Sequence, residues 1–314
     1  MTKEVHDLVI IGAGPSALTA AMYAACENIE TILIEKGPVG GIVESVSRID
    51  NYPGFLNGIS GKSLSETFKS QAEKFGAIIR MGEVQKIEKA GEFTIITTDN
   101  YTLRARAVLV ATGSSYERLC IPGEEEFYGK GIHYSGALDG VVYTDKRLAV
   151  VGGANSAVQE AIFLTKFAAH IDLVVRSHIK ASDVLRRELF EYINDGRITL
   201  HESWIPDRII SVNGQITSLA IREANGNETK TLEVNGVFIF AGIIPSTGFL
   251  TGSGIELDQI GYVVTDHGLM TNIPGIFASG DVRSGSTKQI SAAVGEGTTA
   301  ALAIREYLGR LRNR

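Results

Sequence analysis

Apolar positions along this chain gather into short runs closed by glycine, separated by longer stretches with a single apolar face. Asp7 to Ile11 is such a run, ending at Gly12, and predicts a buried strand. Apolar residues from Ala17 to Ala25 predict a helix, and Thr31 to Ile34 a second strand ending at Glu35. Strand, glycine turn, helix and strand within about 30 residues have the size of one βαβ unit. The pattern then breaks at a glycine-rich loop, Gly37 to Gly41, and a turn at Asn51-Tyr52-Pro53-Gly54. A helix is expected over Ser63 to Phe75. Alternation predicts strands over Ile79 to Ile87 and Phe93 to Thr97, with a turn near Asp99-Asn100. Ala107 to Val110 is another buried run, closed by Ala111-Thr112-Gly113.

The second half repeats the theme. Leu148 to Val151 reads as a strand, Gly152-Gly153 as the turn, Ser156 to Phe167 as a helix and Ile171 to Val175 as a strand. Leu119-Cys120-Ile121-Pro122-Gly123 reads as a linker, because proline and glycine break helix and strand alike. Val237 to Phe240 and Ile276 to Ala278 are further strands, and Ile290 to Leu308 a last helix stopped by Gly309. The class expected is α/β, with two Rossmann-like dinucleotide-binding folds on one chain. The length of 314 residues suits two domains of ~150 residues. A chain of this size buries roughly 75% of its surface, so it needs no disulfide or metal staple.

Composition and residue spacing sharpen this picture at four points. Glycine is 35 of 314 residues, about 11% against a usual ~7%, and glycine-rich nucleotide loops explain an excess. Thirty basic and 36 acidic residues give a net charge of -6, so there is no basic surplus to attract nucleic acid or an anionic membrane. The first residues lack a signal-peptide pattern, and the longest apolar run, Val237 to Ile244, falls far short of the ~20 residues of a membrane helix. A cytoplasmic protein without a membrane partner is expected. His6, His133, His170, His178, His201 and His267 have no metal-ligand spacing, so no metal is expected.

The first glycine turn carries the clearest chemistry. Gly12-Ala13-Gly14-Pro15-Ser16-Ala17 fits G-x-G-x-x-A between a strand and a helix. Gly12 permits the tight turn, Gly14 admits backbone close to a pyrophosphate, and Ala17 lets helix and strand pack closely. The helix N-terminus then offers unpaired N–H groups and a positive dipole end to phosphate. Glu35 ends the next strand, where an acid binds ribose hydroxyls.

The stretches VIIGAGPSALTAAMYAA, Gly40-Gly41, IDNYPGF, VLVATG, IPGEEEF, LAVVGGANSAVQEA, IPGIFASGDV and KQISAAVGEG, in this order and spacing, resemble the low-molecular-weight thioredoxin reductase family over nearly the whole chain. The resemblance implies a discontinuous FAD-binding domain, residues 1–117 and 246–314, with an NAD(P)H-binding-like domain inserted at 118–245. It implies a homodimer. It assigns the FAD site to Gly12, Gly14, Pro15, Ser16, Ala17, Glu35, Gly41, Asn51, Ala111, Gly113, Asp281, Lys288, Gln289 and Ile290, the last three beside the isoalloxazine. These three open the final helix, whose N-terminus stabilises negative charge on a reduced ring. Ile42 stands where the family usually has a polar residue.

Two departures from the family alter the expected chemistry. The family passes electrons from NADPH through flavin to a Cys-x-x-Cys in the inserted domain. Here Ser135 and Leu138 occupy the cysteine positions, and neither can form a disulfide. Asp139 keeps the place of the family's acid, although no thiol remains for it to serve. Cys26 and Cys120 have no partner at that spacing and are expected as unpaired thiols. The second glycine turn, Gly152-Gly153-Ala154-Asn155-Ser156-Ala157, has alanine in place of the middle glycine. The family's His-Arg-Arg cluster for the 2′-phosphate is reduced to Val175-Arg176-Ser177, with Lys180 nearby and no acid following Val175. Gly152, Asn155, Ser156, Arg176 and Lys180 are the candidate NAD(P)H contacts.

His133 and Tyr134, next to the altered segment, and Trp204 are expected to be packing residues. Three readings remain open. One is an FAD oxidoreductase without its own disulfide, fed by NAD(P)H or by a ferredoxin- or flavodoxin-type protein, with a ferredoxin/flavodoxin–NADP reductase as its nearest variant. A second is a non-catalytic FAD-binding dimer that senses redox state. A third is thioredoxin reduction by an unfamiliar route, which the missing dithiol argues against.

Overall fold

The structure is a computed structural model and describes residues 5–46, 48–134 and 140–313. The chain divides into two compact units, Met1–Ser115 with Ile244–Arg314, and Tyr116–Ile243. The first unit opens with β1 (Val5–Ile11), α1 (Pro15–Cys26) and β2 (Thr31–Glu35). A 3-10 turn (Gly41–Ser45), α2 (Gly61–Lys74), β3 (Ile78–Met81), β4 (Val84–Ala90), β5 (Phe93–Thr98) and β6 (Thr102–Val110) follow, and β7 (Ser114–Tyr116) leads out. The second unit holds β8 (Ile132–His133), β9 (Arg147–Val151), α3 (Asn155–Leu164), β10 (His170–Val175), α4 (Asp183–Asn194) and β11 (Ile198–Glu202). It continues with β12 (Trp204–Val212), β13 (Gln215–Glu223), β14 (Thr229–Glu233) and β15 (Gly236–Ile239). β16 (Ile243–Pro245) returns the chain to β17 (Ile276–Ala278) and α5 (Ile290–Arg312).

The first sheet runs β3-β2-β1-β6-β5-β4, with β17 also on β6. β3, β2, β1, β6 and β17 pair in parallel, whereas β4 and β5 join antiparallel. β6 changes character midway. Thr102 to Ala105 pair with β5 and alternate between exposed and buried, while Val108 to Val110 lie between β1 and β17 and are wholly buried. That is the ordinary contrast between a one-sided and a two-sided strand environment. Successive residues of β1 feed opposite cores. Leu8 and Ile10 face α1 and α5, while Val9 and Ile11 join Ile87, Ile96 and Val263. The α1–α5 contact depends on small residues: a Cβ added to Gly297 would lie 2.3 Å from the Ser16 carbonyl oxygen.

The second unit has a parallel sheet, β11-β10-β9-β15-β8, and a separate antiparallel sheet, β12-β13-β14. That second sheet and α4 are elements the apolar pattern does not single out.

Four boundaries differ from expectation. The Ile79–Ile87 stretch is two strands, because Gly82 turns the chain and donates its N–H to the Glu35 carbonyl at 2.9 Å. The third helix ends at Leu164 rather than Phe167, where the Thr165 hydroxyl bonds the Ile162 carbonyl at 2.6 Å. Gly309 does not stop the last helix, which runs to Arg312 with Leu308 and Leu311 still packed on the core. Leu119 and Ile121, expected in a linker, pack on the core of the second unit, and the buried Glu124 carboxylate accepts both of their N–H groups. No described helix is long and apolar enough to cross a membrane.

Candidate functional site

In the first unit the turn between β1 and α1 has little freedom. Gly12 has φ +104°, and a Cβ there would stand 2.5 Å from the Ala111 carbonyl oxygen at the end of β6. Only glycine lets the chain turn so close to that strand end. Gly14 has a different reason. Its φ of -78° suits any residue, and a Cβ there would meet nothing within 4 Å. The glycine therefore leaves an open cradle rather than avoiding a clash in the protein. Gly41, at φ +60°, lines the same cradle; its added Cβ would lie 3.6 Å from the Gly14 Cα. Gly40 N–H donates to the Ala13 carbonyl at 2.8 Å and ties the two glycine loops together.

α1 starts at this cradle with Pro15 at its first position, no capping side chain and no acid in its first turn. Its leading N–H groups and positive dipole end are left for an anion. Glu35 closes the side of the cradle. One carboxylate oxygen accepts from Ala13 N–H at 2.7 Å and the other from Gly37 N–H at 2.8 Å. Ser16 turns its hydroxyl into the core, 2.6 Å from that of Ser279, so its backbone alone faces the turn. Ala17 is fully buried and permits the helix to pack down on the sheet. These residues fit the pyrophosphate and ribose of FAD.

The residues assigned to the flavin side also assemble in this unit. The Asn51 side-chain amide reaches the Gln289 side-chain oxygen at 3.4 Å. Gln289 caps α5 without a side-chain bond to it, leaving the N–H groups at Ile290 and beyond unpaired by a cap. Lys288, in the left-handed region at φ +56°, donates from Nζ to the Asp281 carbonyl at 3.2 Å. Burial pushes the Asp281 carboxyl above its ordinary value, against the pull of the Lys288 ammonium, and burial lowers the pKa of Lys288. Glu296 steadies the loop by accepting from Gly280 N–H at 2.7 Å and pairing with Arg283 at 2.7 Å. Ala111 is buried at the end of β6, and Gly113 takes φ +67° beyond it. Ile42 is exposed in the 3-10 turn.

Tyr262 and Asp258 belong to this cluster and have no motif to announce them. Asp258 accepts N–H groups from Ile260, Gly261 and Tyr262 at 2.9–3.0 Å and the Ser284 hydroxyl at 2.7 Å.

The second unit repeats the turn with less room. A Cβ on Gly152 would meet the Phe240 carbonyl oxygen at 2.5 Å, and one on Gly153 the Val175 side chain at 2.6 Å. Ala154 is the N-cap of α3 and is exposed with Asn155 and Ser156. The Asn155 side-chain oxygen accepts from Ser182 N–H at 2.9 Å, and Gly153 O accepts from Lys180 N–H at 2.7 Å. Arg176 and Lys180 are exposed on the loop between. An acid does approach this loop, although none follows Val175 in sequence. It is Glu202, at the end of β11, which accepts the Ile179 N–H at 2.9 Å.

His133 and Tyr134 are both engaged within the second unit. The His133 ring stacks on Phe238 and lies 2.7 Å from the Tyr143 hydroxyl. The Tyr134 hydroxyl bonds the buried Glu124 carboxylate, and burial together with that carboxylate raises its pKa. Ser135, Leu138 and Asp139 lie outside the described residues. Cys26 and Cys120 are free and exposed, one in each unit. Among the described residues no group of three metal-ligating side chains occurs.

Known proteins agree with this architecture. The chain matches the pyridine nucleotide-disulphide oxidoreductase family over residues 6–297. It is 35% identical to a thioredoxin reductase of Listeria innocua, covering 99% of this chain and 96% of that one. It is 39% identical to a 34.2 kDa protein in the rubredoxin operon of Clostridium pasteurianum, covering 96% and 97%. The crystal structure of thioredoxin reductase from Streptococcus pyogenes superposes with a TM-score of 0.86 at 35% identity, covering 98% and 100%. Fold and site together define an FAD-dependent flavoprotein oxidoreductase of thioredoxin-reductase-like build. The chain belongs to the pyridine nucleotide-disulphide oxidoreductase family.

Proposed function

We propose that this protein is an FAD-dependent oxidoreductase that passes electrons from an external donor to an external acceptor without a dithiol relay of its own. The observation that carries the reading is the position of its two cysteines: Cys26 and Cys120 are exposed, lie in different units and stand outside the segment where the family keeps its disulfide. Disulfide exchange requires a thiolate, and Ser135 and Leu138 supply none.

FAD, when bound, supplies a centre that accepts electrons in pairs and releases them in pairs or singly. Gly12, Gly14 and Gly41 make room for its pyrophosphate, the first turn of α1 offers N–H donors, and Glu35 offers a carboxylate to the ribose. Asn51, Asp281, Lys288 and Gln289 orient and charge the flavin side. The donor is a pyridine nucleotide at the second glycine turn or a ferredoxin- or flavodoxin-type protein. The working form is a cytoplasmic homodimer.

Anaerobic titration of the purified yellow protein with NADPH, NADH and reduced ferredoxin is the test. One of these donors is expected to bleach the visible band within minutes, while a coupled thioredoxin assay shows no turnover. A colourless protein that refuses added FAD, or sustained thioredoxin reduction, would overturn the reading.

A further inference from the structure

Glu202 is the last residue of β11 and lies in register with Val175, the last residue of β10. In a βαβ dinucleotide fold, the loop beyond this second strand meets the adenosine ribose, and the charge there separates a 2′-hydroxyl from a 2′-phosphate. Here that loop is tied down on both sides. Lys180 N–H reaches Gly153 O, Ser182 N–H reaches Asn155, and Ser203 N–H reaches the Ser177 carbonyl at 3.1 Å. Glu202 completes the set. One carboxylate oxygen takes the Ile179 N–H at 2.9 Å, and the other lies 3.5 Å from His178 Nδ1.

We infer that Glu202 is a specificity-determining residue that makes the second unit favour a nicotinamide nucleotide with a free 2′-hydroxyl over one carrying a 2′-phosphate. The inference rests on the reading that a pyridine nucleotide enters this unit. Two cations, Arg176 and Lys180, share the loop and would attract any phosphate. Both are exposed, so their attraction is screened by water and must also fix long, mobile side chains. Glu202 is exposed as well, with 38% of its side chain accessible, but it is already held by the Ile179 amide, so its charge needs no ordering on binding whereas theirs does. Ser177 adds no positive charge. A 2′-phosphate brings close to two negative charges to a fixed carboxylate, whereas a 2′-hydroxyl is a donor that a carboxylate accepts.

Calorimetric titration of the FAD-loaded protein with NADH and with NADPH tests this, on the wild type and on Glu202→Gln. The glutamine keeps an oxygen for the Ile179 amide, so the loop retains its tie. The wild type is expected to bind NADH more tightly than NADPH. The substitution is expected to tighten NADPH about fivefold and to weaken NADH by no more than about twofold, because the glutamine amide still offers the 2′-hydroxyl a polar partner. A purely structural role would move both nucleotides together. Both nucleotides binding with their affinity ratio unchanged by the substitution, or a wild type that prefers NADPH, overturns the inference alone. Binding of neither nucleotide overturns it together with nucleotide entry into this unit.

Discussion

The Lys288 ammonium lies 3.9 Å from the centre of the Tyr262 ring. The ring is buried, and Asp258 ties the backbone that carries it by accepting the Tyr262 N–H as well as the Ser284 hydroxyl. Lys288 is thus held between an aromatic face and the Asp281 carbonyl. An ammonium over an aromatic ring gains about 0.5–2 kcal/mol, more as it is desolvated. A double-mutant cycle of Tyr262→Leu and Lys288→Met, read by urea unfolding, is expected to give a coupling of about 0.5–1 kcal/mol. Additive effects would mean that the ring does not hold the lysine.

Asp281 provides a test by pH. Its folded pKa is raised, first by burial, with Glu296 adding to the rise and Lys288 opposing it. A raised carboxyl pKa means that folding favours the neutral form. That contribution is complete below the unfolded value of ~3.9 and is lost as pH climbs through the folded one. Asp281→Asn stays neutral throughout. Its unfolding free energy is therefore expected to improve relative to the wild type as pH is raised from about 4 to 7. Parallel stability curves for the two proteins would contradict the burial argument.

The first two glycines of the turn should respond in opposite ways. Gly12→Ala places a Cβ 2.5 Å from backbone at φ +104° and is expected to destabilise the apoprotein by about 2–4 kcal/mol. Gly14→Val adds its side chain to open space at an ordinary φ. The apoprotein should melt within about 2 °C of the wild type, while FAD affinity falls at least about tenfold. Retained FAD affinity in the Gly14 variant would show that the pyrophosphate lies elsewhere.

The thiols give a fourth prediction. Cys26 and Cys120 are exposed and free, so a thiol reagent should titrate two groups per chain without unfolding. Cys26→Ser with Cys120→Ser should keep the flavin spectrum and the reduction rate within about twofold. A tenfold loss would place sulfur in the electron route.

Much of this site was readable in the chain because its parts are local. The Gly12–Ala17 turn and Glu35 lie within one βαβ unit, and each glycine has a steric reason that a sequence can express. Asp281 and Lys288 were reachable through the family resemblance alone. Tyr262, Asp258 and Glu202 were not reachable either way. Their roles come from hydrogen bonds across loops or between strand ends, and no spacing rule encodes such contacts. The same limit governed the fold. The buried runs of β1, β9 and β10 stand out, whereas β12 to β14 interrupt their apolar residues with polar ones, as at Pro206-Asp207-Arg208 and Thr217-Ser218, and are bounded by turns at Asn213-Gly214 and Asn225-Gly226-Asn227. Gly309 shows the converse: a residue that breaks isolated helices is tolerated where Leu308 and Leu311 remain docked.

Trp204 is the chain's single tryptophan. It is nearly buried, with the Lys230 ammonium 4.0 Å from its ring, and stands two positions beyond Glu202. Intrinsic indole emission from this protein therefore comes from one place, the shoulder of the inserted unit. Any molecule that settles near the β10–β11 strand ends has a label-free optical reporter already installed beside it.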